Sequence, residues 1–183
     1  MEVAATVFAE RGIASSTVRD IAERAEIWSG SLYHHFESKD QIVAEVVRAG
    51  MDEWTAYQAT TIASNDGDAA ATLRALIVGS IHWVAEHPSV ATILSNECRY
   101  LQENVLLADV NALYVKNRHG WIRVIKNGKK AGTFRKDANA DVVVRAIFDS
   151  TMAAARWLPP VRQEKPKAVG GQLADLYVRG LMA

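Results

Sequence analysis

An all-α fold is predicted for this 183-residue chain by three features. Apolar residues return every three or four positions in one segment after another. Helix-capping signals stand ahead of several of those segments, and no run alternates polar with apolar residues as a half-buried strand would. Four prolines, and no repeat or low-complexity tract, suit packed helices rather than linkers.

In chain order, residues 2–11 read as a helix with Val3, Ala4, Val7 and Phe8 on one side. Gly12, free to take the left-handed conformation, closes it, and Ile13 folds back against it. Thr17 caps a second helix, with Asp20 three residues on as its reciprocal partner and Val18, Ile21, Ala22 and Ala25 as the apolar positions. That helix stops near Glu26. After a turn through Ile27 and Trp28, SGSLYHHF forms a third short helix whose Leu32 and Phe36, four apart, face inward. Ser38 and Gln41 form a capping box for a longer helix of about five turns carrying Ile42, Val43, Val46, Val47, Met51, Trp54 and Tyr57. Asn65, Asp66 and Gly67 break the chain. A helix over 68–87 buries Leu73, Leu76, Ile77, Ser80, Ile81 and Val84, and Pro88 ends it. One helix is expected over 89–101 and a long one over 105–129, where Leu106, Val110, Leu113, Asn117, Trp121 and Val124 share a face and Gly120 marks a bend or a close approach. A basic loop follows to Asp137. A strongly apolar helix over 139–157, ended by Pro159 and Pro160, and a last helix over 171–182 after Gly170 and Gly171 complete eight or nine helices.

Composition restricts the function. The 21 basic and 21 acidic side chains cancel, so attraction to a polyanion has to be local. A single cysteine, Cys98, and the lack of any signal-peptide pattern fit a reducing cytoplasm, and no apolar run approaches the roughly 20 residues that span a bilayer. Five histidines are scattered, without HExxH or paired cysteines, and His82 and His87 are off the spacing of four that aligns two ligands on a helix; no metal site is expected. No phosphate-binding loop or nucleophile elbow is present, so neither a cofactor nor catalysis is indicated.

What stands out is the pair of short helices over 17–36. The outer face of the second, Ser29, Gly30, Ser31, Tyr33 and His34, has little bulk and many hydrogen-bonding groups, which suits a helix that enters a major groove and touches base edges and phosphates. TVRDIAERA followed by LYHHFESK, with Phe8, Ala9 and Gly12 upstream, resembles the helix-turn-helix of the TetR family of bacterial transcriptional regulators over some fifty residues. The resemblance implies a DNA-binding domain over 1–48 and a helical ligand-binding and dimerisation domain over 49–183. It further implies a homodimer that reads a palindromic double-stranded operator and is released from it by a small-molecule effector. Thr17, Arg19, Trp28, Ser29, Gly30, Ser31, Tyr33, His34 and Lys39 are the expected DNA-facing set: Thr17, His34 and Lys39 mainly on phosphates, Ser29, Ser31 and Tyr33 nearer the bases.

The chain departs from the family pattern in three places. A basic lead-in before the first helix is missing from the sequence as it stands. Glu26 occupies the position of the usual turn glycine, which costs on the order of 1 kcal/mol if the backbone there is left-handed. Trp28 replaces a small capping hydroxyl; its indole either covers the turn or lies against the DNA backbone. Residues 1–48 also carry five cations (Arg11, Arg19, Arg24, Lys39, Arg48) against eight acids (Glu2, Glu10, Asp20, Glu23, Glu26, Glu37, Asp40, Glu45). That balance keeps a second reading open, a ligand-binding or interaction protein on this scaffold with little DNA affinity.

In the second part, Phe148, Met152 and Arg156 lie four apart on one face of the penultimate helix and, with Trp83 and Trp121, form the expected ligand site. Two apolar groups and a cation suit an amphipathic anion; the alternative is a surface or interface arginine with its stem on Trp157. GSLYHHF, FRKDANADVVVR and the Arg156–Trp157 pair are similar to TetR-type repressors of actinobacterial sterol-ring catabolism, which implies an acyl-coenzyme A thioester as effector. The last two long helices are apolar around more of their circumference than one core needs, so they are the expected dimer contact, with Ile147 and Leu176 as candidate interface positions.

Overall fold

The computed structural model describes residues 1–65, 67–158 and 166–183, so Asp66, Pro159 and Pro160 lie outside the described residues. Among the described residues ten α-helices run in the order α1 (Glu2–Arg11), α2 (Val18–Arg24), α3 (Ser29–His35), α4 (Lys39–Ser64), α5 (Ala69–Glu86), α6 (Pro88–Asn96), α7 (Cys98–Glu103), α8 (Ala108–Ala131), α9 (Ala140–Ala153) and α10 (Pro166–Leu181). Among the described residues the only extended pairing is a bridge between Phe134 and Met182. No helix among them is long and apolar enough to cross a membrane.

The first three helices form around Phe8, Ile13, Ile21 and Val43, all nearly inaccessible to solvent. The Thr17–Asp20 capping box is complete in both directions. Glu26 has a φ of 56°, the strained left-handed backbone its position implied. Gly12 ends α1 at φ 79° and ψ 152°, an extended left-handed region open to glycine alone. Ser38 accepts the Gln41 N–H, while Gln41 reaches past Ser38 to the Glu37 N–H at 2.6 Å.

α4 runs without interruption across position 48 and is longer than the apolar stripe suggested, because its last two turns pack with Gln58 and Thr61 inward rather than with large apolar groups. Around it lies a connected aromatic core. Trp54 stacks on Tyr57 at 5.5 Å and contacts Trp83 at 6.0 Å and Trp121 at 6.4 Å, and Trp121 meets Phe148 edge-on at 5.1 Å. Trp121 is fully buried and donates its indole N–H to Gln58 Oε1 at 2.5 Å.

Several boundaries differ from the sequence reading for local reasons. The segment 89–101 is two helices, since Glu97 leaves helical geometry at φ −107°, ψ 20° and sends its carboxylate to the Ile13 N–H. Residues Val105–Leu107 form a 3-10 turn, whose three-residue repeat puts Leu107 in the core and leaves Leu106 exposed. α9 likewise tightens into a 3-10 turn at Ala154–Arg156. Gly120 has only ordinary contact with Ile62; the close approach is at Gly128, where a Cβ would sit 2.3 Å from the Phe134 ring. Gly170 and Gly171 are inside α10 rather than ahead of it. Gly170 is where α10 crosses α5, with Val78 Cα 2.9 Å from where a Cβ would be. Ile147 is fully buried within the protomer, so it is a core residue and not an interface one; Leu176, 68% exposed, is the surface position of the two.

Candidate DNA-reading surface and effector cleft

None of the seven residues of α3 is buried. Ser31, Tyr33 and His34 are exposed and Ser29 and Gly30 are partly so, so the face expected to meet DNA is open to solvent. Trp28 is 75% exposed and lays its indole over Gly30, where a Cβ would fall 2.4 Å from Cζ3. The missing side chain at Gly30 is thus what lets the ring fold onto the start of α3. Trp28 covers the turn and stays on the open surface.

The cations of the head are mostly engaged within the protein. Arg11 pairs with Asp20 and Arg24 with Glu10, each at 2.5 Å, and Arg48 bridges Glu45 and Asp109. Lys39, expected on phosphate, donates to the carbonyls of Ile13 and Ser16 at 2.6 and 2.9 Å and ties the α1–α2 loop to α4. Arg19 is exposed and makes no ion pair among the described residues. The hydroxyl of Thr17 both accepts the Asp20 N–H and donates to its carboxylate, so its hydrogen-bonding capacity serves the cap. These Thr17 bonds, with Arg11 beside them, hold the Asp20 carboxyl below the usual carboxylate range.

In the bundle, Phe148, Met152 and Arg156 come together as expected, on the wall of a cleft of about 290 Å³ between α6, α8 and α9. Leu94, Ser95, Cys98 and Tyr114 supply the facing wall, and Asp149 stands at its edge. The pattern of α9 could not reveal them, because they come from other helices. Trp121 is one layer behind, against Phe148, and does not line the cleft. Trp83 does not line it either: its ring packs on Trp54 and on His87, the latter at 5.2 Å. Arg156 is exposed and has no ion pair among the described residues. Burial raises the pKa of the Tyr114 phenol, so it meets the cleft as a neutral group.

One wall of the cleft is bonded to the head. Between Ser95 and Cys98, Glu97 accepts the Ile13 N–H at 3.2 Å. One turn on, Tyr100 donates its hydroxyl to Asp40 at the start of α4, and Asn104 donates to the other oxygen of Asp40 at 2.9 Å. Burial and the Asp40 carboxylate raise the Tyr100 phenol to about 12. The sign is that of a group favoured in its neutral form: this contribution to stability is complete below pH 10 and is lost as pH rises through about 12.

Residues 1–46 match the family described as bacterial regulatory proteins, tetR family, and residues 66–181 match the tetracyclin repressor-like C-terminal domain. The chain belongs to the tetR family. It is 35% identical over 181 residues to the HTH-type transcriptional repressor KstR2 of Rhodococcus jostii, covering 99% of this chain and 88% of that protein. It is 33% identical over the same length to KstR2 of Mycobacterium tuberculosis, covering 99% and 90%. The solved structure of the ketosteroid transcriptional regulator KstR2 of M. tuberculosis superposes with a TM-score of 0.90 at 32% identity, covering 100% of this chain and 92% of that one. AibR, solved in complex with isovaleryl coenzyme A and operator DNA, shares the fold, with a TM-score of 0.82 at 18% identity over 96% and 94% of the two chains. As a member of the tetR family the protein is a DNA-binding transcriptional regulator, with its helix-turn-helix in α2 and α3.

Proposed function

We propose that the protein is a homodimeric repressor of a palindromic operator, released by an amphipathic anion, an acyl-coenzyme A thioester of lipid or sterol catabolism. Tyr33, Ser29 and Ser31 read base edges; His34, Arg19 and the ring of Trp28 lie along the backbone, and Lys39 and Thr17 hold the head in shape behind them. Residues 1–48 serve as the reader and 49–183 as the sensor, with α4 common to both. Dimerisation uses the outer faces of α9 and α10, where Val142 and Leu176 are exposed. Two heads about 34 Å apart, or a multiple of that, then meet successive turns of one face of the duplex.

The observation that carries this reading is the α6–α7 elbow: Leu94, Ser95 and Cys98 face the cleft, while Glu97 and Tyr100 hold the head. A ligand that prefers one position of the elbow shifts α1 and the start of α4 together. Differential affinity for the two positions is the whole requirement. A cleft of 290 Å³ takes the acyl end and its thioester against Phe148, Met152 and Tyr114, leaving the anionic part outside near Arg156.

The test is titration of the protein–promoter complex with acyl-coenzyme A thioesters of increasing size. The wild type is expected to release DNA. Arg156→Met keeps DNA binding but needs more ligand, corresponding to roughly 1.5 to 3 kcal/mol for a charge-assisted hydrogen bond. Equal release by both proteins would return Arg156 to the surface or the interface. A wild type that fails to prefer its promoter over scrambled DNA would leave a ligand-binding scaffold, the reading that the acidic head keeps open.

A further inference from the structure

A second concave region, distinct from the effector cleft, adjoins the head. A cavity of about 450 Å³ opens between α1, α4 and the corner where α5 turns into α6, with Ala5, Val46, Gly50 and Val90 on its walls. Glu53, Glu86 and His87 also line it. One ligating atom from each of these three lies within 4.8 Å of the others. His87 Nε2 is 3.3 Å from Glu53 Oε2. We propose that Glu53, Glu86 and His87 form a binding site for a first-row divalent cation of borderline hardness, Zn²⁺ being the probe, at the junction of reader and sensor.

The donor set has the chemistry for it. One imidazole nitrogen and two carboxylates are ligands common to zinc and its neighbours, whereas magnesium prefers oxygen alone. Donors around a tetrahedral ion at about 2.0 to 2.2 Å from each must approach one another to roughly 3.4 Å, so the three have to close by an ångström or so. Both glutamates are exposed and free to rotate, and water completes the coordination. Neither glutamate has a lysine or arginine partner among the described residues: Glu53 meets only His87, and Glu86 only His82 at 3.4 Å. Two carboxylates converging on one imidazole repel each other until a cation sits between them.

The anchor of the site is rigid. His87 is the last residue of one helix cap and the first of the next, with Pro88 fixing the backbone after it, and its N–H is held by the Trp83 carbonyl at 2.8 Å. Its ring lies against Trp83, at 5.2 Å between centroids. Trp83 is itself 4% exposed, and its indole N–H is buried without a partner. The indole edge next to that nitrogen packs at Gly50 on the cavity wall, where Cζ2 would be 3.3 Å from a Cβ. A buried donor left without a partner among the described residues, beside the cavity wall, is a place for a water or anion to bind. The sequence concealed the set because Glu53 is a whole helix away from His87, and His82 of α5 and His87 just after it are five apart.

The experiment is calorimetric titration of metal-free protein with zinc chloride, repeated with magnesium chloride. The wild type is expected to show one saturable zinc site per chain, to gain melting temperature with zinc, and to give no heat with magnesium. Glu53→Gln and His87→Gln should each bind zinc at least about tenfold more weakly, while His119→Gln, altered at an exposed histidine on another helix, should match the wild type. Glu53 is exposed and its only described partner is His87, so melts in chelator will show Glu53→Gln as folded as the wild type. A wild type that takes up no zinc, or a Glu53→Gln variant that binds it as the wild type does, would overturn the proposal. The readout involves neither DNA nor acyl thioester, so it stands or falls apart from the repressor reading.

Discussion

Helices α3 and α9 contrast in how they are held. Not one residue of α3 is buried, and only Leu32 and Phe36 at its inner edge pack on the core. α9 buries Ala140, Val144, Ile147, Phe148 and Thr151, and its neighbour α10 fixes it further through Tyr177, which donates to the Ala146 carbonyl at 3.0 Å. The reading helix is positioned by its ends: the left-handed Glu26 before it, the Trp28 ring over Gly30, the Ser38 cap after it. The sensor helix is positioned by burial. A helix held by its ends and by the single inner side chain of Leu32 keeps its other side chains open to solvent, whereas α9 is tied to the core around it.

Substitutions in the two regions should therefore differ sharply in cost. Trp121→Ala is expected to destabilise by about 3 to 5 kcal/mol, from the cavity alone, with Gln58 left unpaired in addition. Ile147→Asp should cost a similar amount, since it places a charge in the core, and urea melts will show both. Tyr33→Ala should change stability by less than about 0.5 kcal/mol. An α3 as sensitive as α9 would break the contrast. Leu176→Glu sharpens it from the other side: the protomer stays folded while sedimentation shows a monomer.

Effects smaller than those in the core of the bundle belong to the supports of the head. Thr17→Ala should cost about 1 kcal/mol as a lost cap. Because the native pKa of Asp20 is depressed, its capping contribution is present above the ordinary carboxylate value of 3.8 and is lost as pH falls through the lower native one. An Asp20→Asn variant should accordingly have a flatter acid limb than the wild type in stability measured against pH. Glu26→Gly should act in the opposite direction, stabilising by at most about 1 kcal/mol through relief of left-handed strain.

The same contrast explains what could be read in advance. Local rules governed the head, so the Thr17 box, the Ser38 cap, the strained Glu26 and the open face of α3 were all legible as spacing and residue type. In the bundle the helical stripes were legible, but partners from distant helices were not. The face of Phe148, Met152 and Arg156 gave half a cleft; Leu94, Cys98 and Tyr114 had no spacing that linked them to it. Trp83 and Trp121 looked like pocket aromatics because large rings suit both cores and pockets, and they lie in the core. Lys39 looked like a phosphate contact, but two loop carbonyls within reach of its ammonium hold it. Glu97 broke a helix that periodicity continued, because its side chain had a partner 84 residues away.

The most direct measurement of whether the open face of α3 reads DNA is fluorescence anisotropy of labelled promoter DNA against scrambled DNA, over a range of salt, for wild type, Arg19→Ala and Tyr33→Ala. The wild type should prefer the promoter. Arg19→Ala should weaken both DNAs equally and lower the salt slope by about one unit, while Tyr33→Ala should erode the preference itself. A wild type with equal affinity for both DNAs, or Tyr33→Ala with its preference intact, would contradict a reading role for α3.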